Sequence, residues 1–228
     1  MNDLVFSKLA SQSSDPNSLE IIKKKSFSAN TQITNEGINK AKEFANNMTI
    51  LQKGEHREHR TGGSYFRSSK EIFINAFQGK LAEVAFHEFF RDQDFQINEP
   101  DFETYPKGQW DSFDFLIDNK KINVKSTKHF GNLMLLEEGD WNNNAEYIPN
   151  ISSNNHIYDL FVLIRIDSKT NKYDIPGFIT RSDLLQIIQK KHIIKKNQLL
   201  NGRIPMDANN YYVQAGDLRD IKFFRNYI

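Results

Sequence analysis

Residues 157–166 read Ile-Tyr-Asp-Leu-Phe-Val-Leu-Ile-Arg-Ile. Apart from Asp159 and Arg165 the stretch is apolar, and it does not alternate. A strand with one face in water alternates polar and apolar residues, so a strand that does not alternate must be covered on both faces. The run falls far short of the roughly 18 apolar residues of a membrane-spanning helix. It reads as a central strand, which needs other strands beside it and a packed layer on each face. With 228 residues the chain can build both layers as a single domain.

The rest of the chain supplies candidates for those layers. Residues 1–33 are rich in Ser, Asn and Lys and read as a loosely packed arm with one short helix. Ile38, Ala41, Ala45, Met48 and Ile50 follow helical spacing, which predicts a helix over 34–52. A second helix over 69–91 carries a wide apolar stripe from Ile72 to Phe90, with Gly79 as a point of kinking, breakage or close approach. From residue 100 the period changes. Residues 110–117 and 121–127 flank Asp118-Asn119-Lys120 and read as two antiparallel strands joined by a tight turn. Residues 139–156 form an Asn-rich loop, most simply a disordered one. Residues 173–179 read as a strand. Thr180 then caps a helix over 181–191, with Asp183 in the capping-box position. A turn at Asn201-Gly202, a strand over 211–214 and a turn over 215–220 close the chain. The fold class is α/β: a mixed sheet flanked by helices, behind a helical N-terminal region over 1–69.

Several function classes drop out. The absence of Cys excludes a disulfide scaffold, a thiol nucleophile and Cys-ligated metals. The 30 basic and 29 acidic residues nearly cancel, so any nucleic-acid footprint must be local. No Walker loop, dinucleotide glycine fingerprint or serine elbow is present, so no nucleotide cofactor is expected. The opening Met-Asn-Asp-Leu-Val-Phe has no basic region and no long apolar stretch. The expected location is the cytoplasm, without a membrane partner.

The chemistry concentrates in Asp114-Phe-Leu-Ile-Asp-Asn-Lys-Lys-Ile-Asn123-Val-Lys125-Ser-Thr. Asp114 opens one strand of the hairpin. Asn123 and Lys125 share a face of the other, because strand side chains repeat every second residue. A lysine beside an oxygen ligand, across a hairpin from a carboxylate, suits metal-assisted phosphodiester hydrolysis. Mg²⁺ takes oxygen ligands, with one or two carboxylates plus water and phosphate. Asp114, the Asn123 amide oxygen and the Val124 carbonyl are candidate ligands, and Lys125 would hold the attacking water or stabilise charge on phosphorus. Glu83, on the helix over 69–91, is the candidate further carboxylate.

These residues resemble the PD-(D/E)XK nuclease superfamily over roughly residues 70–180. Gly79 to Glu83 is similar to its helix with a metal-supporting Glu, Asp114 to its motif aspartate and Lys125 to its motif lysine. The resemblance implies a restriction-endonuclease-like core, Mg²⁺ (or Mn²⁺ in substitution), double-stranded DNA as substrate and a homodimer, with a type II restriction enzyme first within the class. It departs at Asn123, where the family pattern expects Asp or Glu. Three readings of that residue stay open: a natural tolerance for Asn, an introduced change from Asp, or a weakened enzyme that binds DNA.

DNA contacts are expected from the cationic stretch 53–70, through Arg57, Arg60, Ser64, Arg67 and Lys70, with Gly62 and Gly63 letting the backbone approach phosphates. Lys128 and His129 follow the candidate strand and would lie near the scissile phosphate. Plainer alternatives stand beside each assignment: a surface ion pair for Asp114 and Lys125, a solvated helix position for Glu83, a solvated helix end for 53–70. At the level of the whole chain the alternatives are a structure-specific repair or defence nuclease, a DNA-binding protein on the same fold, and a structural protein with no affinity for Mg²⁺ or DNA.

Overall fold

The computed structural model describes residues 4–12, 15–29, 31–49, 61–104, 113–152 and 155–228. Three short strands come first: β1 (Ala10–Gln12), β2 (Asp15–Glu20) and β3 (Thr31–Gln32). Two helices follow, α1 (Asn35–Thr49) and α2 (Ser69–Arg91). A hairpin of β4 (Phe115–Ile117) and β5 (Lys120–Lys128) leads to β6 (Leu133–Glu137). β7 (Leu160–Asp167) and β8 (Lys172–Thr180) run into α3 (Arg181–Gln189). The tail carries β9 (Ile193–Ile194), β10 (Leu199–Leu200), β11 (Ile204–Pro205) and β12 (Asn210–Gln214). A 3₁₀ segment, Ile221–Tyr227, follows.

The architecture is mixed α/β. The main sheet has five strands in the order β3-β8-β7-β5-β4, with β5 and β7 parallel and the other pairs antiparallel. β7 lies in its middle, buried from Leu160 through Ile166. Its side chains feed two cores. Leu160, Val162, Ile164 and Ile166 pack with α2, while Phe161 and Leu163 pack with α3 and the second sheet, β6-β12-β9. That double coverage is why the run carries no polar alternation. Among the described residues no helix is long and apolar enough to cross a membrane.

Local signals account for the elements around it. Ser68 Oγ accepts from Glu71 N–H and the Glu71 carboxylate accepts from Ser68 N–H, a capping box that starts α2. Thr180 and Asp183 make the expected box at α3. Asp118 and Asn119 both adopt positive φ, 45° and 63°, the two-residue turn that suits a twisted hairpin. α2 runs unbroken through Gly79, where an added Cβ would meet nothing within 4 Å. Close approach occurs instead at Gly37 of α1, where a Cβ would stand 2.4 Å from Val84 Cγ1. Phe86 and Phe90 of α2, fully buried against Phe115 and Phe224, each contribute roughly 1.5–3 kcal/mol of burial.

Four expectations are corrected. The described part of residues 1–33 contains strands and no helix: β1 and β2 join β10 and β11 in a four-stranded sheet, and β3 edges the main sheet. The arm is not loosely packed. Arg165, 1% exposed, donates to both Asp174 carboxylate oxygens and to the carbonyls of Lys25 and Ser26, so it ties the arm to β7. The segment 139–156, where described, is ordered by 3₁₀ turns at Glu138–Asp140 and Ile148–Asn150 and by the Trp141–Tyr147 bridge. Finally, β6 forms where no strand is expected; its Leu133, Met134 and Leu136 enter the cores beneath the smaller sheets.

Candidate functional site

The β4–β5 hairpin places the central group. Phe115 pairs with Ile122, so the register carried one residue further sets Asp114 opposite Asn123. Ile122 and Val124 belong to the α2-side core. Asn123 and Lys125 therefore stand on the other face, beside their β7 partners Phe161 and Leu163. Asp114 Oδ2 accepts from Val124 N–H at 2.6 Å, which fixes the carboxylate against β5. Burial pushes the Asp114 carboxyl above the ordinary carboxylate range, while Lys125, the Val124 hydrogen bond and Lys80 pull it back. Asn123 is buried, and its side-chain oxygen has no hydrogen-bond partner. A buried amide oxygen without a donor is costly, and a cation is one partner that would satisfy it.

Glu83 is on α2, and its Oε2 lies 2.6 Å from the Lys80 ammonium. It is not a solvated helix position: its carboxylate is mostly buried and held by Lys80, whose charge also acts on Asp114. Sequence reasoning passes over Lys80, although a signal is present. Phe77, Lys80, Leu81 and Val84 follow the spacing of one helix face, so a lysine sits in an apolar stripe three residues before a glutamate. Among the described residues no three His, Asp or Glu side chains converge as a metal-binding group. The candidate ligands are two carboxylates, one amide oxygen and the Val124 carbonyl, all hard oxygen donors of the kind Mg²⁺ takes.

A crevice of about 620 Å³ opens beside Lys125. Its floor runs along Val124–Lys128, and Asn75 and Gln78 of α2 face it with Leu135 and Asn210 of the second sheet. Arg67, Lys125 and Lys128 bring positive charge to it, and Phe130 lies exposed at its edge. Its two carboxylates, Glu137 and Asp140, accept from Thr61 N–H at 2.8 Å and Thr61 Oγ at 2.7 Å. These contacts dock Thr61, in the middle of the cationic stretch, onto the end of β6 and the 3₁₀ turn after it. Asn75, Gln78 and the Thr61 clasp carry no motif and emerge only from tertiary packing.

The remaining sequence candidates divide. Ser64 accepts from the Lys196 ammonium at 2.8 Å, which brings a further cation to this stretch. Lys70 is exposed in the first turn of α2. His129 packs between Phe27 and Phe130 with its Nδ1 3.8 Å from Asp167, so it serves the loop after β5 and does not line the crevice. Arg57 and Arg60 lie outside the described residues. Comparison with family models, curated proteins and solved structures gave no match to this chain.

Proposed function

We propose that the chain is a divalent-metal-dependent DNA endonuclease with a restriction-endonuclease-like core. The observation that carries this reading is the grouping on one hairpin of a clamped Asp114, a buried Asn123 oxygen with no partner and Lys125, beside a basic crevice. Asp114, Asn123 and the Val124 carbonyl would hold the ion; Glu83, the further carboxylate that the resemblance implies, is held on α2 by Lys80. Bound there, Mg²⁺ or Mn²⁺ supplies Lewis-acid polarisation of a phosphoryl oxygen and acidifies a water.

The protein's own groups do the rest. Lys125 presents an ammonium next to Asp114, where it orients a nucleophilic water or meets charge developing on phosphate. Arg67 and Lys128 bind backbone phosphates along the crevice, and Lys70 and the Ser64–Lys196 pair extend the contact toward α2. Phe130 offers an apolar face to a base or sugar. A sequence-specific enzyme acting on double-stranded DNA as a homodimer is the first form of this reading, and a structure-specific nuclease the other.

Asn123 favours a second reading, a protein that binds DNA but cuts weakly. A neutral ligand gives the metal one negative charge fewer than the family pattern would. Plasmid and genomic DNA cleavage with Mg²⁺ and Mn²⁺ tests both readings, using the chain, Asn123→Asp and Asn123→Asp/Lys125→Ala. Cleavage by Asn123→Asp that disappears in the double variant supports a nuclease. If no version cuts duplex, branched or single-stranded DNA, the catalytic reading fails.

A further inference from the structure

The loop after β5 holds an aromatic ring out in water. Phe130 is 64% exposed, yet the loop that carries it is pinned on both sides. His129 N–H donates to the Ile166 carbonyl at 2.9 Å, and Gly131 N–H to the Lys128 carbonyl at 2.7 Å. The Asn132 side-chain oxygen accepts from Lys25 N–H at 2.8 Å, and its backbone carbonyl accepts from Ala215 N–H at 2.9 Å. A Cβ added at Gly131 would collide with the Thr127 side chain, so the turn also packs closely on β5. A single exposed apolar residue is ordinary by itself. This one lines the crevice, and the Lys128 ammonium lies 5.9 Å from its ring centroid.

The crevice beside the ring has two walls. Lys125 lies in its floor, with Asn75 and Gln78 of α2 on one side and Leu135 and Asn210 of the second sheet on the other. A phosphodiester that meets Lys125 must enter between them. Concavities of roughly 300–1,000 Å³ enclose drug-sized molecules. At about 620 Å³ this one suits a nucleotide, which is of that size, and not a stacked duplex. A positive groove with an aromatic ring on which a base stacks is how proteins hold single strands. Unstacked bases are then read on their exposed edges by hydrogen bonds.

We propose that the crevice takes an unpaired nucleotide, with its base stacked on Phe130 and its phosphate drawn toward Lys125 and Lys128, so that the substrate is single-stranded or locally opened DNA. The inference rests on the DNA-cleaving reading above and narrows its substrate class. The Asn75 and Gln78 amides each donate and accept, which suits the edge of a base that has lost its partner. In a continuous duplex every base face is already stacked, and Phe130 reaches one only at the cost of unstacking it.

Binding of fluorescently labelled DNA to the intact chain tests this, measured by anisotropy in EDTA at one fixed salt concentration. The probes are a single strand, the same sequence as a continuous duplex, and that duplex with a short mismatched bubble. The single strand and the bubble should bind at least about 10-fold more tightly than the continuous duplex, within the range that one stacked base commands. Phe130→Ala should weaken binding of both by about 5- to 150-fold and narrow their preference over duplex, whereas Phe130→Trp should keep it. Equal binding of all three probes overturns the inference and leaves the DNA reading standing. So does a preference for unpaired DNA that survives Phe130→Ala, because the ring is then not the platform. If none of the three binds, the DNA reading falls as well.

Discussion

Replacing Arg165 by Met should be among the most damaging single changes in the chain, and the damage should be partly reversible by a second. The guanidinium donates to Asp174 Oδ1 at 2.8 Å and Oδ2 at 2.5 Å, to Lys25 O at 2.7 Å and to Ser26 O at 2.9 Å. Met fills a similar volume but leaves Asp174, a nearly buried carboxylate, with only the Ser28 N–H as a hydrogen-bond partner among these contacts. Stranding one member of a buried ion pair costs about 3–5 kcal/mol. For a chain of this size that is a fall in Tm of roughly 6–20 °C. Arg165→Met/Asp174→Leu removes the stranded charge and should recover part of the loss, because an apolar pair of similar volume is often neutral. Urea and thermal unfolding of the parent, both single variants and the double variant measure the coupling. Hydrogen exchange should show amides 25–28 losing protection in Arg165→Met. A loss below about 1 kcal/mol, or a double variant falling by the sum of the singles, would refute the argument that this pair is what anchors the arm.

Other substitutions probe the remaining elements. Gly37→Ala forces a Cβ against Val84 and should cost about 1–3 kcal/mol in urea unfolding. Gly79→Ala adds a Cβ into open space on an unbroken helix and should stabilise by up to roughly 1 kcal/mol. Asp114 has a folded pKa above its unfolded one, so the folded state binds the extra proton between the two values. Stability should therefore fall as pH rises through that window, and Asp114→Asn should flatten this part of a Tm-against-pH profile while abolishing any cleavage. His192 has the opposite sign: burial lowers its pKa, so stability should fall as pH drops from about 6.5 toward the folded value. His192→Phe should remove that fall.

What the sequence discloses depends on how far apart the interacting residues lie. α2, the β4–β5 hairpin, β7 and α3 are legible because each is set by residues within a few turns or one hairpin: a cap, a periodicity, a two-residue turn. Asp114, Asn123 and Lys125 are legible for the same reason, since a hairpin register fixes their common face. The strands of the arm are not. β1 and β2 are polar, and although they pair with each other, the strand that joins them to the rest is the two-residue β10, far along the chain. Gln214 shows the same blindness. A completely buried glutamine accepts from Ile22 and Lys23 N–H and donates to the carbonyls of Ser7 and Lys8, with no pattern near any of them to announce it. The Lys80–Glu83 pair is an intermediate case: its spacing is visible in a helical projection, but the Asp101 carbonyl and the Phe44 ring that complete the lysine's surroundings are not.

The parallel pairing of β2 with β10, Ser18 beside Leu199 and Leu19 beside Leu200, ties the beginning of the chain to its end. On the ribosome these partners are separated by about 180 residues, so at 5–20 residues per second the arm waits roughly 10–40 s for the strand that completes it. During that interval its backbone edge is open to any other nascent chain. A greasy arm would aggregate while it waited. The Ser, Asn, Asp and Glu residues that hide β2 from sequence reading are also what keep it in solution until its partner is made.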